Sequence, residues 1–440
     1  MGTRELVRAG ISVRKVLIIT FHFSRKERVA SIRLRGLAKY LPEFGWEPTI
    51  VTAKQPNSIN QDSTSQNLCR LIETDYQDIN ANLASFFGIN PDKPIRESLN
   101  IRSVKNKNTF FDHTWGLVKE LLYYPDQEKG WYKYGLEAGK EILEEDNYDA
   151  IISSSFPVTA HLIARELKLH YNIPWIADLR DLWTQNHYYP YSSFRKMIDT
   201  RLEKKTLGLA DALTTVSGPL NEALSGRYPD KYTSTITNGF DPEETNPGVP
   251  LSKGFTITYT GQLYRGRQDP EPLLKALSEL IHDGVVERGD VSIDFYGKYE
   301  SWLEEDVTRY KLGDVVTLHG PVSREVAIRK QWESQILLLL TWNDPAEQGV
   351  YTGKVFDYLA ARRPILSLGL SGGVVTRLID DTNAGVHVST EEEIKSYLLA
   401  AYKEFKKNGA VHYSGNQSEI DKYSHYEMAR KFAEVLNAIT

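Results

Sequence analysis

Short apolar runs rich in β-branched residues and leucine alternate with helix-patterned segments along this chain, and the alternation occurs twice. In the first half the runs are "KVLIIT" (15–20), "EPTIVTA" (47–53), "YDAIISSS" (148–155), "IPWIADL" (173–179) and "DALTTVS" (211–217). Strands that are apolar on both faces must be covered on both faces, which is the condition of a parallel sheet flanked by helices. The segments between them, "SIRLRGLAKYLPEFGW", "VTAHLIARELKLHY" and "SSFRKMIDTRLEKKTLGLA", read as crossover helices, the first ended by Pro42 and Gly45. Residues 54–112 are polar and irregular, as in a long surface excursion, and a helical region follows to about 145. The alternation predicts a doubly wound α/β domain.

"ITNGFDPEETNPGVP" (236–250) then breaks the rhythm with turn residues and reads as a linker. The pattern restarts with strands "FTITYTG", "VSIDFYG", "VVTLHG", "QILLLLTW", "PILSLG" and "AGVHV", separated by helices such as "PEPLLKALSELI", "REVAIRKQWES" and "GKVFDYLAARR". A last helix, "HYEMARKFAEVLNAI", covers 425–439. The expectation is two Rossmann-like domains, 1–240 and 241–424, facing a cleft. A chain of 440 residues has room for both. In such sheets ligands bind beyond the carboxyl ends of the strands, so the chemistry is sought in the segments just after them.

The net charge of −5 removes the overall basicity of a nucleic-acid binder, so no nucleic-acid partner is expected. One cysteine, Cys69, excludes an intrachain disulfide. No apolar run approaches the ~20 residues of a membrane span, and "MGTRELVRAGISVRK" lacks the apolar core of a secretory signal. These features suggest a cytoplasmic protein, with attachment to the inner face of a membrane left open. The helix at 192–209 mixes Arg and Lys with Phe194, Met197, Ile198 and Leu202. Its simplest reading is an amphipathic helix packed on the sheet; a helix lying on a membrane is the alternative.

Four motifs stand after strands. In "EQGVYTGKVFDYLAARRPIL" (347–366), Gly349 and Gly353 bracket a loop that enters a helix near Lys354. Free N–H groups, the helix dipole and the lysine together suit a phosphate. Asp357, in the first turn, can meet a ribose diol, or it can simply complement the dipole. The spacing is not that of a Walker A loop, and no G-x-G-x-x-G occurs. In "YTGQLYRGRQDPEPLLKAL" (259–277), Gly261 opens a turn, and Arg265 and Arg267 can offer guanidinium forks to diphosphate oxygens. "FHFSRKERVASIRLRG" (21–36) is locally basic, as for an acidic acceptor or an anionic membrane surface; Ser24, Arg28 and Arg33 are expected on the acceptor side, and Lys26 and Arg35 on a solvated face. Finally, "IPWIADLRDLW" (173–183) delivers Asp178, Arg180 and Asp181 at a strand end. Asp181, which can accept from a substrate hydroxyl, and Arg180 are candidate catalytic residues, and Asp178 is expected on the acceptor side; the plainer reading of Arg180 and Asp178 is an ion pair at the strand end. Ser217 reads as a helix N-cap and Asn238–Gly239 as a turn. No H-E-x-x-H or paired metal-ligand spacing appears, so no metal is expected.

The ordered set "SIRLRGLAKYLPEFGWEPTIVT", "DAIISSSFP", "PWIADLRDLW", "RLEKK…ADALTTVS", "ITNGFD", "YTGQL", "GKVFDYLAARRPIL", "AGVHV" resembles the GT-B glycosyltransferases of family 4, in particular the branch found in bacterial polysaccharide assembly. The resemblance covers nearly the whole chain. It implies that the second domain binds a nucleotide-diphosphate sugar as co-substrate and the first a glycan or lipid-linked acceptor, and that 425–440 crosses back to the first domain. It also implies transfer with retention and without metal or other cofactor. Residue by residue, it places Asp357 on the ribose, Gly353 and Lys354 in the loop that meets the diphosphate, Arg265 or Arg267 on the diphosphate, and Glu347 near the donor sugar. Glu347 stands farther from Asp357 than the usual pattern, Gln262 replaces a common arginine, and Arg180–Asp181 stands where many members carry His–Asp. Arginine stays protonated and cannot serve as a base, though it can hold a sugar hydroxyl or the departing phosphate. A sugar-nucleotide epimerase of the same fold and a non-catalytic sugar-binding subunit are the rival readings.

Overall fold

The computed structural model describes residues 13–24, 29–54, 69–78, 120–187 and 189–440. The chain divides into two compact units, Met1–Ile236 together with Ala429–Thr440, and Thr237–Met428.

The first unit contains, in order, β1 (Arg14–Ile19), α1 (Val29–Tyr40), β2 (Trp46–Ala53), β3 (Arg70–Thr74), α2 (Tyr132–Glu145), β4 (Ala150–Ser155), α3 (Thr159–Tyr171), β5 (Trp175–Leu179), α4 (Ser193–Leu207), β6 (Ala212–Thr215), α5 (Gly218–Arg227) and β7 (Tyr232–Thr235). The strands form one parallel sheet in the order β3-β2-β1-β4-β5-β6-β7. The uninterrupted apolar runs become its centre: Val16 to Ile19, Ala150 to Ile152 and Trp175 to Leu179 are all essentially without exposure. Gly45, at φ 81°, closes the short turn between α1 and β2, and its N–H returns to the carbonyls of Leu41 and Pro42. Strand β3 lies inside the stretch expected to be an irregular excursion. It is an edge strand, only half-buried, so it lacks the apolar run that marks the others.

The second unit contains β8 (Phe255–Thr260), α6 (Glu271–His282), β9 (Val291–Tyr296), α7 (Ser301–Arg309), β10 (Val316–Gly320), α8 (Arg324–Glu333), β11 (Ile336–Leu340), α9 (Lys354–Ala361), β12 (Ile365–Leu368), α10 (Val374–Thr382), β13 (Gly385–Val388), α11 (Glu391–Asn408) and α12 (Gln417–Ile420). Its sheet is again parallel, in the order β10-β9-β8-β11-β12-β13. Strand β11, "ILLLL", is buried along its whole length and separates two apolar layers, one under α6, α7 and α11 and the other under α9 and α10. The last helix, α13 (His425–Ile439), starts in the second unit and ends in the first.

In each sheet the strand order reverses once, between β1 and β4 and between β8 and β11. The two loops leaving a reversal point diverge and open a crevice at the carboxyl edge. In the second unit those loops are 261–270 and 341–353. They contain Gly261, Arg265, Arg267, Glu347, Gly349 and Gly353.

Candidate functional site

The second-unit crevice is built from the end of β8 outward. Gly261 adopts φ 119°, outside the range of ordinary side chains. A Cβ at this position would collide with Cε of Lys354. The missing side chain lets the lysine stem lie on the loop, with its ammonium 4.9 Å from the centroid of the Tyr259 ring. No hydrogen-bond acceptor among the described residues takes that ammonium. Burial pushes the lysine down to about 8, although Asp357 works in the opposite direction. Lys354 is therefore a cation at the mouth of α9 with an unfilled demand for an anion.

Asp357 projects from the first turn of α9. Both of its oxygens accept from Arg324, the first residue of α8, at 2.8 and 3.3 Å. Sequence reasoning did not single out Arg324. The next residue, Tyr358, is buried, and its hydroxyl accepts from the Thr260 N–H at 3.2 Å. This bond pins the first turn of α9 to the end of β8 and sets the height of Lys354 and Asp357 above the sheet. Gly353 occupies the N-cap with φ −57°, a conformation open to any residue, so the turn itself does not require glycine there.

The two reversal-point loops are fastened to each other. The Asn343 N–H donates to the Arg267 carbonyl at 2.9 Å, and Gln268 Nε2 donates to the Leu340 carbonyl at 3.1 Å. Tyr264 stacks on Trp342. This arrangement separates the two candidate arginines. Arg265 lies 6.0 Å from the Trp302 ring of α7, and Arg267 lies 5.9 Å from Trp342. Trp342 lines a cavity together with Thr341, Glu347, Gln348 and Gly373. Glu347 is 6% exposed, unusual for a carboxylate, and belongs to this same cavity, as does Gly373 at the N-terminus of α10. Gly349 lies in the loop beyond it. Of the two arginines, Arg267 is thus the one placed with the Glu347 cavity.

A neighbouring recess is lined by Gly261, Gly297 and Gly320, one from the end of each of β8, β9 and β10, with Lys298 and Tyr299. A Cβ on Gly297 would strike the Gly261 carbonyl, and Gly320 has φ 75°. The signal was in the sequence, since three consecutive strands end "YTG", "FYG" and "LHG". Glycine at three adjacent strand ends leaves backbone open to a flat ligand. Beside it Tyr296 and His319 stack at 4.3 Å, and His319 Nε2 meets Asp294 Oδ1 at 2.6 Å.

In the first unit the strand end of "IPWIADLRDLW" resolves into three separate fates. Asp178, expected on the acceptor side or paired with Arg180, is fully buried and paired instead with Arg33. Arg33 donates to it from Nε at 3.2 Å and from a terminal nitrogen at 2.9 Å. Ser154 and Thr214, level with Asp178 on β4 and β6, each donate a hydroxyl at 2.8 Å. Burial favours the neutral acid, but Arg33 and these hydroxyls outweigh it and hold the Asp178 carboxyl below its ordinary value. Neither Arg33 nor Asp178 reaches solvent, which corrects their acceptor-side assignment. The polar row on the sheet face demands a buried cation, and α1 supplies it. Arg180 donates to the carbonyls of Ser155 and Phe156 at 2.7 and 3.1 Å and so holds the loop after β4. Asp181 is exposed, while Leu182, Trp183 and Thr184 turn back inward. Ser24 donates to Glu73 at 2.5 Å. Arg28 lies outside the described residues, as does Lys26. Ser217 occupies the N-cap of α5 as expected, without a side-chain capping bond.

Among the described residues no group of three His, Cys, Asp or Glu side chains could hold a metal ion, and no helix is long and apolar enough to cross a membrane.

Residues 30–244 match the family model described as Glycosyltransferase Family 4. No curated protein sequence matches the chain. Among solved structures, a sucrose-phosphate synthase from Thermosynechococcus elongatus superposes with a TM-score of 0.59 at 16% identity, over 97% of this chain and 98% of that one. HepE of Anabaena, solved with UDP and glucose, superposes with a TM-score of 0.60 at 13% identity, over 97% and 100%. A glycosyltransferase from Rickettsia africae gives 0.60 at 15% identity, over 97% and 98%. These likenesses establish the fold along nearly the full length.

Proposed function

We propose that this chain, a GT-B protein whose residues 30–244 match glycosyltransferase family 4, is a retaining, metal-independent glycosyltransferase. It moves a hexosyl or related sugar from a nucleotide-diphosphate sugar to a glycan or lipid-linked acceptor. Its place is cell-surface polysaccharide assembly, on the cytoplasmic side of the membrane. The observation that carries the reading is Lys354, a largely desolvated cation without an acceptor at the reversal point of the second sheet, one helical turn from Asp357. A diphosphate supplies the missing anion, and the Asp357 carboxylate meets the ribose. HepE, of the same fold, was solved with UDP and with UDP-glucose, which supports a uridine nucleotide as the first donor to try.

In the reaction the bond from the anomeric carbon to the diphosphate oxygen breaks and a bond to the acceptor oxygen forms on the same face. The acceptor proton leaves with the diphosphate. Lys354 and Arg267 stabilise the negative charge that builds on the leaving group, where a preformed cation acts most strongly. Glu347 lies near the donor sugar and Asp181 accepts from a substrate hydroxyl. Arg180, engaged with two backbone carbonyls, acts as a brace of the loop after β4 rather than as a substitute for a sugar-binding histidine.

Titration calorimetry with UDP-, GDP- and dTDP-sugars tests the reading. One donor should bind, and Asp357→Ala should weaken it by about tenfold to a hundredfold, as expected for lost charge-assisted bonds. Unchanged affinity would remove Asp357 from the site. Proton NMR of the product should show the donor's anomeric configuration, and transfer should persist in EDTA. An epimer formed from donor alone would overturn the transferase reading.

A further inference from the structure

Helix α4 buries ionic side chains and leaves two large apolar ones exposed. Three of its core-facing residues are ionic: Arg195, Asp199 and Glu203 are only 3, 1 and 1% exposed. Arg195 donates to Asp199 at 2.9 Å, and Glu203 accepts from the Thr184 N–H and the Tyr228 hydroxyl. Two of its apolar residues look outward, Phe194 at 62% and Met197 at 44% exposure, while Ile198 and Leu202 are partly buried and Leu207 is fully buried. The expectation of an amphipathic helix with its apolar face on the sheet therefore fails for Phe194 and Met197, while Ile198 and Leu202 are partly covered. Phe194, Met197, Arg201, Lys204 and Lys205 follow one another at spacings of three, four, three and one. At 3.6 residues per turn this spacing places them on one stripe about 100° wide.

Arg201, Lys204 and Lys205 are exposed, and no ion pair or hydrogen bond of theirs occurs among the described residues. Both acids of the helix are used inside, so the outer stripe carries cations alone, although the whole chain is at −5. Leu121 is 72% exposed as well. Its neighbour Glu120 is locked to the start of α4 by bonds from the Ser192 N–H and hydroxyl at 2.8 and 2.6 Å.

We infer that this face of α4 docks the protein on an anionic lipid bilayer. Phe194, Met197 and Leu121 enter the headgroup boundary, and Arg201, Lys204 and Lys205 meet the lipid phosphates. Exposed large apolar side chains beside unpaired cations suit a surface that offers both hydrocarbon and negative charge. A nucleic acid would use the cations but not the aliphatic side chains, and a neutral protein partner the reverse. The inference deepens the functional reading by naming the surface through which a lipid-linked acceptor is approached. It does not depend on catalysis, because vesicle binding is measured without donor.

The test is co-sedimentation of the full chain with vesicles of phosphatidylcholine alone and with phosphatidylglycerol added. The wild type should partition onto the anionic vesicles and be released by salt. R201E/K204E/K205E should lose at least about tenfold in partitioning, and F194S/M197S should lose the salt-resistant part. The swap K403E/K407E, on exposed residues of α11, should change little. Nucleotide-sugar binding by calorimetry should be the same in all variants, so that a failed donor site is told apart from a failed docking face. Three results would overturn the inference: equal partitioning of wild type and variants, absence of wild-type binding, or tighter binding to an oligonucleotide lost by the same charge swap. A concentration-dependent dimer abolished by F194S/M197S would assign the face to self-association and overturn it as well.

Discussion

At the scale of single residues, the proposed donor site turns on Lys354. Its folded-state value near 8 lies below the lysine value of 10.5. A lowered lysine disfavours its own charge in the folded protein, so this group opposes folding below about pH 8. That penalty disappears as pH rises toward the unfolded value. A bound diphosphate prefers the ammonium, so nucleotide affinity should fall as pH rises through about 8. Calorimetry of UDP binding between pH 6.5 and 9.5 should show this fall in the wild type. Lys354→Met should bind about tenfold to a hundredfold more weakly and show a flatter profile. Arg33 and Asp178 are the contrasting pair, charged and conspicuous in the sequence but sealed in the core. Arg33→Met leaves a buried carboxylate unpaired and should cost about 3–5 kcal/mol in urea unfolding. The double substitution R33M/D178L removes both charges together and should recover much of that loss. Sequence spacing could not foresee their fate. A strand end places alternate side chains on opposite faces, but only the register with Ser154 and Thr214 turns one of them into a buried site.

At the scale of elements, most strands are legible because a parallel sheet writes both of its covered faces into continuous apolar runs. The elements that escape do so for definite reasons. β3 and β7 are edge strands with partly exposed faces, and their sequences "RLIET" and "YTST" lack apolar runs. α11 carries an explicit start signal, the Thr390–Glu393 capping box, yet it lies beyond the last strand, where no alternation calls for it. α4 is recognisable as a helix, but much of its buried face is ionic, so Phe194 and Met197 stand on the exposed side. Its Glu203 joins elements that are far apart in sequence. The carboxylate receives the Thr184 N–H at 3.1 Å and the Tyr228 hydroxyl at 3.1 Å, and pairs with Arg227. It thereby fixes the segment that begins with Asp181. Glu203→Gln keeps the size but loses the charge. It should lower stability by about 1–3 kcal/mol and reduce kcat, while donor affinity by calorimetry stays unchanged. A loss confined to stability would leave Glu203 a structural residue only.

At the scale of the whole molecule, each unit has its own sheet and its own apolar core, and the last twelve residues, Ala429–Thr440, belong to the first. Phe432 is fully buried, and the guanidinium of Arg33 lies 5.2 Å from the centre of its ring. The Trp46 Nε1–H donates to Asn437 Oδ1 at 3.0 Å, and Arg14 reaches Asn437 and the Thr440 hydroxyl. The chain end thus completes a core whose other residues come from its beginning, and long-range closure of this kind leaves no local trace in sequence. Phe432→Ala should cost the first unit about 3–5 kcal/mol through the cavity it leaves. Calorimetric unfolding should then resolve two transitions, the lower one shifted by the substitution. The transition of the second unit, identified by its rise on adding nucleotide, should stay where it is in the unsubstituted protein. A single transition that moves as a whole would mean that the units unfold together, and that the end of α13 couples two cores rather than completing one.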